Sequence, residues 1–263
     1  LSSIPKFYLE AKALKADLDK LEYAQQAIDY AYNKGVPWAV LTDFEKIKVF
    51  NAEWKAKTLQ DSQFLEITYN EYLERFDELW LLSKESLTQG LLDKEAERRL
   101  KKDKKQPISK QILADLLKAR EKLTKNILQH PRLNRVSGEE LDESVQRILD
   151  RLIFIRTCED RVIEPNHLLS AVRLWRESRR DLSPALQKIF RDFNTGYNSR
   201  LFEEHFCENL VIDDKILAGI IKDLYETPDG SRYDFSVISA DVLGSIYEQY
   251  LGHILKKTPK SAR

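Results

Sequence analysis

Methionine is absent from all 263 residues, and the chain opens on Leu1. Average usage is roughly one residue in fifty, so about five would be expected. The chain therefore reads as a piece of a longer protein. Glycine and proline are sparse, at 8 each, which separates the chain from disordered and low-complexity sequences. Cys158 and Cys207 are the two cysteines. Both sit in apolar helical contexts and read as buried reduced thiols, which fits a cytoplasmic protein. No run approaches the roughly 18 apolar residues of a membrane span, and no signal peptide opens the chain. An excess of one charge is also lacking, since 43 basic and 43 acidic side chains give a net charge of zero. That argues against a strong DNA binder acting through this stretch alone, because such domains carry a clear basic excess.

What is present is 42% hydrophobic and 33% charged residues. This is the balance of a soluble, helix-rich chain with enough length to bury a core. Two basic runs, Arg98 to Lys105 and the terminal K-K-T-P-K-S-A-R, read as solvated loops or linkers. Residues 1–55 differ in pattern from the rest. Lys6 to Lys12 is a short aromatic and apolar run with charges inside it, the pattern of a strand. Ala16 to Asn33 carries apolar residues at helical spacing, and Gly35 closes that helix. Val36–Thr42 and Lys46–Phe50 then read as a hairpin turning at Asp43-Phe-Glu. The order strand, helix, strand, strand describes half of a small α/β domain.

From Phe64 onward the periodicity is helical. Helices are expected near Tyr69–Ser83, Lys84–Arg99, Ser109–Gln129, Gly138–Arg161, Asn166–Glu177, Ser183–Phe193, Ser199–Asn209, Asp213–Tyr225 and Ser239–Lys256. The helix from Gly138 places Leu141, Val145, Ile148, Leu149, Leu152, Ile155 and Thr157 on its apolar side, as the central helix of a bundle would. The histidines His130, His167, His205 and His253 fall at unrelated spacings. His205 and Cys207 are two apart on an expected helix and point in different directions, so no zinc site is expected.

The residues with chemistry stand at the start. Glu10-Ala-Lys12 on a strand puts Glu10 and Lys12 on one face, with Ala11 on the other. A carboxylate is a suitable ligand for Mg²⁺, a hard cation. An ammonium beside it can orient an attacking water and neutralise a phosphate. In a chain this charged, an isolated E-x-K arises by chance and is very weak evidence, its bland alternative being an exposed cross-strand ion pair. Context strengthens it, because Gln26 and Tyr30 lie four apart and share a face of the next helix.

E-x-K on a strand, Q-x-x-x-Y on a helix, then Gly35 to Phe50 (G-V-P-W-A-V-L-T-D-F-E-K-I-K-V-F) resembles the second half of a PD-(D/E)xK nuclease. The likeness is closest to the N-terminal nuclease domains of Type IIG and Type I restriction enzymes. It implies that Glu10 is a metal ligand and Lys12 the catalytic lysine, with Gln26 and Tyr30 supporting the site or touching the DNA backbone. It also implies Mg²⁺ and double-stranded DNA. The family's first acidic ligand lies one hairpin before E-x-K, and the nine residues preceding Glu10 leave no room for it. The chain alone is therefore expected to be inactive.

A second resemblance covers much of the remainder. Ser144–Arg161, Tyr197–Phe202, Tyr233–Ile238 and Val242–Gly252 resemble the helical connector before the adenine-N6 methyltransferase domain of Type IIG enzymes. This implies a mainly α chain, with a partial α/β nuclease lobe over 1–55 and a connector bundle over 56–263. An S-adenosylmethionine-dependent methyltransferase would lie outside it, so no residue here is expected to bind that cofactor. A different class of function also fits: a non-catalytic scaffold or DNA-docking region of a phage-defence methyltransferase.

Overall fold

The computed structural model describes residues 5–100, 102–178, 181–238 and 240–257. The chain divides between Ile108 and Ser109 into two units. The division lies well beyond residue 55, where the sequence pattern put the end of the α/β lobe. The cause is a fourth strand that the helical reading after Phe64 missed.

In the first unit, β1 (Phe7–Ala11), β2 (Trp38–Thr42), β3 (Lys46–Asn51) and β4 (Gln63–Thr68) form one sheet in the order β1-β2-β3-β4. β1 and β2 are parallel, and the remaining pairs are antiparallel. Parallel neighbours need a crossover, and α1 (Leu21–Asn33) supplies it. Its buried face holds Ala24, Ala27, Ile28 and Ala31, and the three alanines let the helix lie close on β1 and β2. Lys15 has a φ of +64° in the preceding loop. Asp17 then accepts from Asp19 N–H through Oδ1 and from Lys20 N–H through its carbonyl, a turn that puts the helix start at Leu21 rather than Ala16. Gly35, with a φ of +67°, ends it as expected.

The other face of the sheet is covered by α3 (Phe76–Trp80), α4 (Lys84–Gln89) and α5 (Leu91–Arg99), which follow α2 (Leu59–Ser62) and a short 3-10 turn (Tyr69–Glu71). Trp38, Trp54 and Phe64 pack ring against ring there, with centroids 5.4–6.4 Å apart. Leu65 and Ile67 join the same core from β4. Burying those two side chains while pairing with β3 outweighs the local helical pattern, because β propensity is decided mainly by packing. The expected helices over 69–99 break up for local reasons. Gly90 has a φ of +66° and separates α4 from α5. Trp38 Nε1 donates to Asp93 Oδ1 at 2.8 Å and ties α5 to the sheet.

The second unit is helical: α6 (Ile108–Gln129), α7 (Gly138–Asp160), α8 (His167–Ser178), α9 (Leu182–Tyr197), α10 (Asp214–Asp223) and α11 (Ala240–Lys257). This mainly α architecture with a small N-terminal α/β lobe is the expected fold class. α7 opens with a capping box. Glu140 N–H donates to Ser137 Oγ at 3.2 Å, and Ser137 N–H donates to Glu140 Oε2 at 2.7 Å. Ser137→Ala is expected to cost about 1 kcal/mol, read as a lowered thermal unfolding midpoint.

Six of the seven apolar positions expected on α7 are buried; Thr157 is partly exposed and bonds its hydroxyl to Ile153 O at 2.8 Å. Cys158 and Cys207 are both free and buried, and burial pushes the Cys207 thiol up to about 11. The helix expected over 199–209 does not form. Arg151, fully buried on α7, donates to Leu201 O at 2.8 Å and Glu203 O at 2.6 Å, holding the segment open. Only a 3-10 turn, Phe206–Asn209, remains, and His205 Nδ1 accepts from Cys207 N–H at 3.2 Å. Among the described residues, no helix is long and apolar enough to cross a membrane. Lys101, Ser239, the tail after Lys257 and the side chain of His253 lie outside the described residues.

Candidate active site

Register across the sheet fixes which side chains can meet. Glu10 pairs with Leu41, Leu41 with Lys48 and Lys48 with Glu66, so these four side chains project from the same face. Tyr8 and Glu10 share that face by alternation. Lys12 extends it, because its N–H still donates to Thr42 O at 2.8 Å, one step past the end of β1. α1 lies over this face and brings Gln26 and Tyr30 down on it.

Three of the four residues singled out in the sequence, Glu10, Lys12 and Gln26, meet here. Lys12 Nζ lies 2.8 Å from Glu10 Oε1, with both side chains 18% exposed. Lys12 Nζ also donates to Gln26 Oε1 at 3.3 Å. Tyr30 makes no bond to the ion pair. It stacks instead on Tyr8, with ring centroids 4.0 Å apart and planes 26° from parallel. Two site residues escaped the sequence reading. Tyr8 donates its phenol to Glu10 Oε2 at 2.6 Å, and Lys12 sits 4.3 Å from the ring centre of Tyr23. Both carried a signal: Tyr8 is two before Glu10 on a strand, and Tyr23 is three before Gln26 on a helix.

The electrostatics follow from these contacts. Burial alone would raise the Glu10 carboxyl, but the hydrogen bonds from Lys12 and Tyr8 and the Lys12 charge outweigh it and hold the group below its ordinary range. Burial, then the Glu10 carboxylate, push the Tyr8 phenol well above its usual value. Glu10 is thus an anion with a fixed orientation, and Tyr8 remains a donor. Further along the same face, Lys48 is 2.5 Å from Asp19 and 3.5 Å from Glu66. Lys46 is 3.4 Å from each of the same two acids. Asp19 pins the loop between β1 and α1 across the sheet.

As a metal centre the site is partial. No group of three His, Cys, Asp or Glu side chains comes together among the described residues. Mg²⁺ commonly takes only one or two protein carboxylates, completing its shell with waters and substrate phosphate. Glu10 fits as one such oxygen ligand, part-exposed and oriented from both sides. The rest of the arrangement suits handling a phosphodiester: a cation held beside the carboxylate, an amide on the cation, and aromatic walls.

Along nearly its whole length the chain is similar to the Type II restriction enzyme and methyltransferase RM.Eco57I of Escherichia coli. The identity is 28% over 257 residues, which make up 95% of this chain and 25% of that protein. The chain thus spans about a quarter of the length of the curated relative it matches. No protein-family model matches the chain, and no solved structure matches it.

Proposed function

We propose that the chain belongs to a bifunctional restriction–modification protein, in which the α/β unit carries a Mg²⁺-dependent phosphodiesterase site on Glu10 and Lys12. The helical unit is then the spacer that sets its distance from an S-adenosylmethionine-dependent adenine-N6 DNA methyltransferase. That distance would govern how far from the recognised sequence the DNA is cut. The observation that carries the nuclease reading is the pairing of Lys12 Nζ with Glu10 Oε1 at 2.8 Å on one strand face, capped by Gln26 at 3.3 Å. The likeness to a restriction enzyme and methyltransferase over 95% of the chain supports the wider assignment.

In this reading Glu10 contributes one oxygen ligand, and Tyr8 keeps its carboxylate from rotating away. The bound Mg²⁺ would supply Lewis-acid polarisation of the phosphate and a more acidic water. Lys12 offsets the negative charge that builds on the phosphate and holds the attacking water by a hydrogen bond. Gln26 keeps the ammonium in place. A second carboxylate, as the PD-(D/E)xK resemblance implies, would come from elsewhere in the whole protein.

The test is plasmid cleavage by the whole protein, with Mg²⁺ and with chelator, beside adenine methylation of the same DNA. Glu10→Ala is expected to abolish cleavage and leave methylation within about twofold. Cutting at the wild-type rate by this variant would remove Glu10 from the site. If the wild type methylates but never cuts, the lobe is a docking module and the scaffold reading replaces the nuclease.

A further inference from the structure

We infer that the helical unit carries its own contact for the sugar–phosphate backbone of duplex DNA, built by Arg173 and Arg176 of α8 with Lys222 of α10. These three side chains line a groove of about 560 Å³ together with Asn166, Ser170 and Glu177. The spacing explains the convergence. Asn166, just before α8, and residues 170, 173 and 177 of α8 follow each other at three or four positions, so they form one stripe. Arg176 flanks it, and Lys222 faces it from the neighbouring helix. All three cations are exposed.

None of the three is committed to an ion pair among the described residues, unlike the cations that hold the helices of the unit together, and all three converge on one groove. Arg120 is paired with Asp142 and Lys122 with Asp223, each at 2.6 Å, and Arg191 with Glu208 at 2.5 Å. Arg151 and Arg156 are likewise paired, with Glu208 and Asp160. Arg173, Arg176 and Lys222 have no ion pair or hydrogen bond to an acid among the described residues. Glu177 is the one carboxylate lining the groove, against three cations.

A phosphodiester backbone matches this chemistry. Guanidinium groups bind phosphate oxygens through two parallel N–H donors, and an ammonium adds a point charge. Ser170 and Asn166 offer neutral donors of the kind that position a duplex without reading its sequence. The groove runs along about 16 Å of helix, room for more than one phosphate. The zero net charge of the chain does not oppose this, because a local stripe of free cations is what a backbone meets. The inference rests on DNA being the whole protein's substrate and not on Glu10 or Lys12.

The experiment measures affinity of the whole protein for two duplexes of unrelated sequence between 50 and 200 mM salt, in chelator so that no cleavage occurs. Each lost phosphate contact flattens the plot of log affinity against log salt by about 0.9. Arg173→Ala with Arg176→Ala is expected to flatten it by about 2 and to weaken binding to both duplexes by the same factor, roughly tenfold. The paired Arg→Lys variant should keep most of the slope. Circular dichroism checks the fold. If the double variant does not fold, Lys222→Ala, on the other helix, should still flatten the slope by about 1. An unchanged slope overturns the inference, as does a loss confined to one of the two sequences. An unchanged slope is the outcome expected if the groove takes an acidic protein segment. Absence of DNA binding by the wild type overturns it too, whereas binding without cleavage overturns only the nuclease reading.

Discussion

Replacing Lys12 by alanine is expected to lower DNA cleavage by the whole protein by about 10²–10⁴-fold. Methylation should stay within about twofold of wild type. The size follows from what Lys12 touches. Its ammonium is 2.8 Å from Glu10 and 3.3 Å from Gln26; in the proposed reading it offsets the charge on the phosphate and aligns the attacking water. The fold should not suffer. A part-exposed ion pair of this kind contributes at most about 1 kcal/mol, and β1 keeps its backbone bonds to β2. Lys12→Arg is expected to restore little, because a planar guanidinium cannot reproduce the compact ammonium's place between Glu10 and Gln26. Single-turnover cleavage and methyl incorporation on one substrate make the comparison. Equal cutting by Lys12→Ala and wild type would reduce Lys12 to a surface charge.

Arg151→Ala is expected to have the largest effect on stability, a loss of about 3–5 kcal/mol. The guanidinium is fully buried, donates to the carbonyls of Leu201 and Glu203, and is 2.8 Å from Glu208. Its carbon lies 4.8 Å from the ring centre of Phe190. Alanine would strand two carbonyl oxygens and leave Glu208 with Arg191 alone, in a region that cannot rehydrate without opening. Arg151→Met separates packing from polarity. It keeps most of the buried volume, so if unpaired polar groups dominate the cost it should recover less than half of the loss. Urea unfolding monitored by far-ultraviolet circular dichroism measures both. A cost below about 1 kcal/mol for the alanine variant would mean that the 199–209 segment holds itself in place.

The candidate site was legible to the extent that its geometry is local. Strand alternation places Glu10 beside Lys12, and helical spacing places Gln26 near Tyr30, whatever surrounds them. That Gln26 would reach Lys12 while Tyr30 turned to Tyr8 depends on how α1 crosses the sheet, which no single segment encodes. The same limit applies to β4. Gln63–Thr68 becomes a strand because β3 offers it a partner and the Trp38–Trp54 cluster offers its apolar side a core.

By itself, then, the sequence determined the elements whose period and punctuation agree: β1, the hairpin of β2 and β3, α7 with its apolar side, and the meeting of Glu10 with Lys12. Tertiary structure alone decided the fourth strand, the extension of the first unit to Ile108, the break-up of the helices over 69–99 and the open 199–209 segment. It also decided the convergence of Arg173, Arg176 and Lys222 on one groove. The physical reason is common to these cases. Local propensities differ by fractions of a kcal/mol per residue, whereas burying an aromatic side chain or satisfying a buried guanidinium is worth several times more. Contacts between distant segments therefore prevail wherever the two disagree.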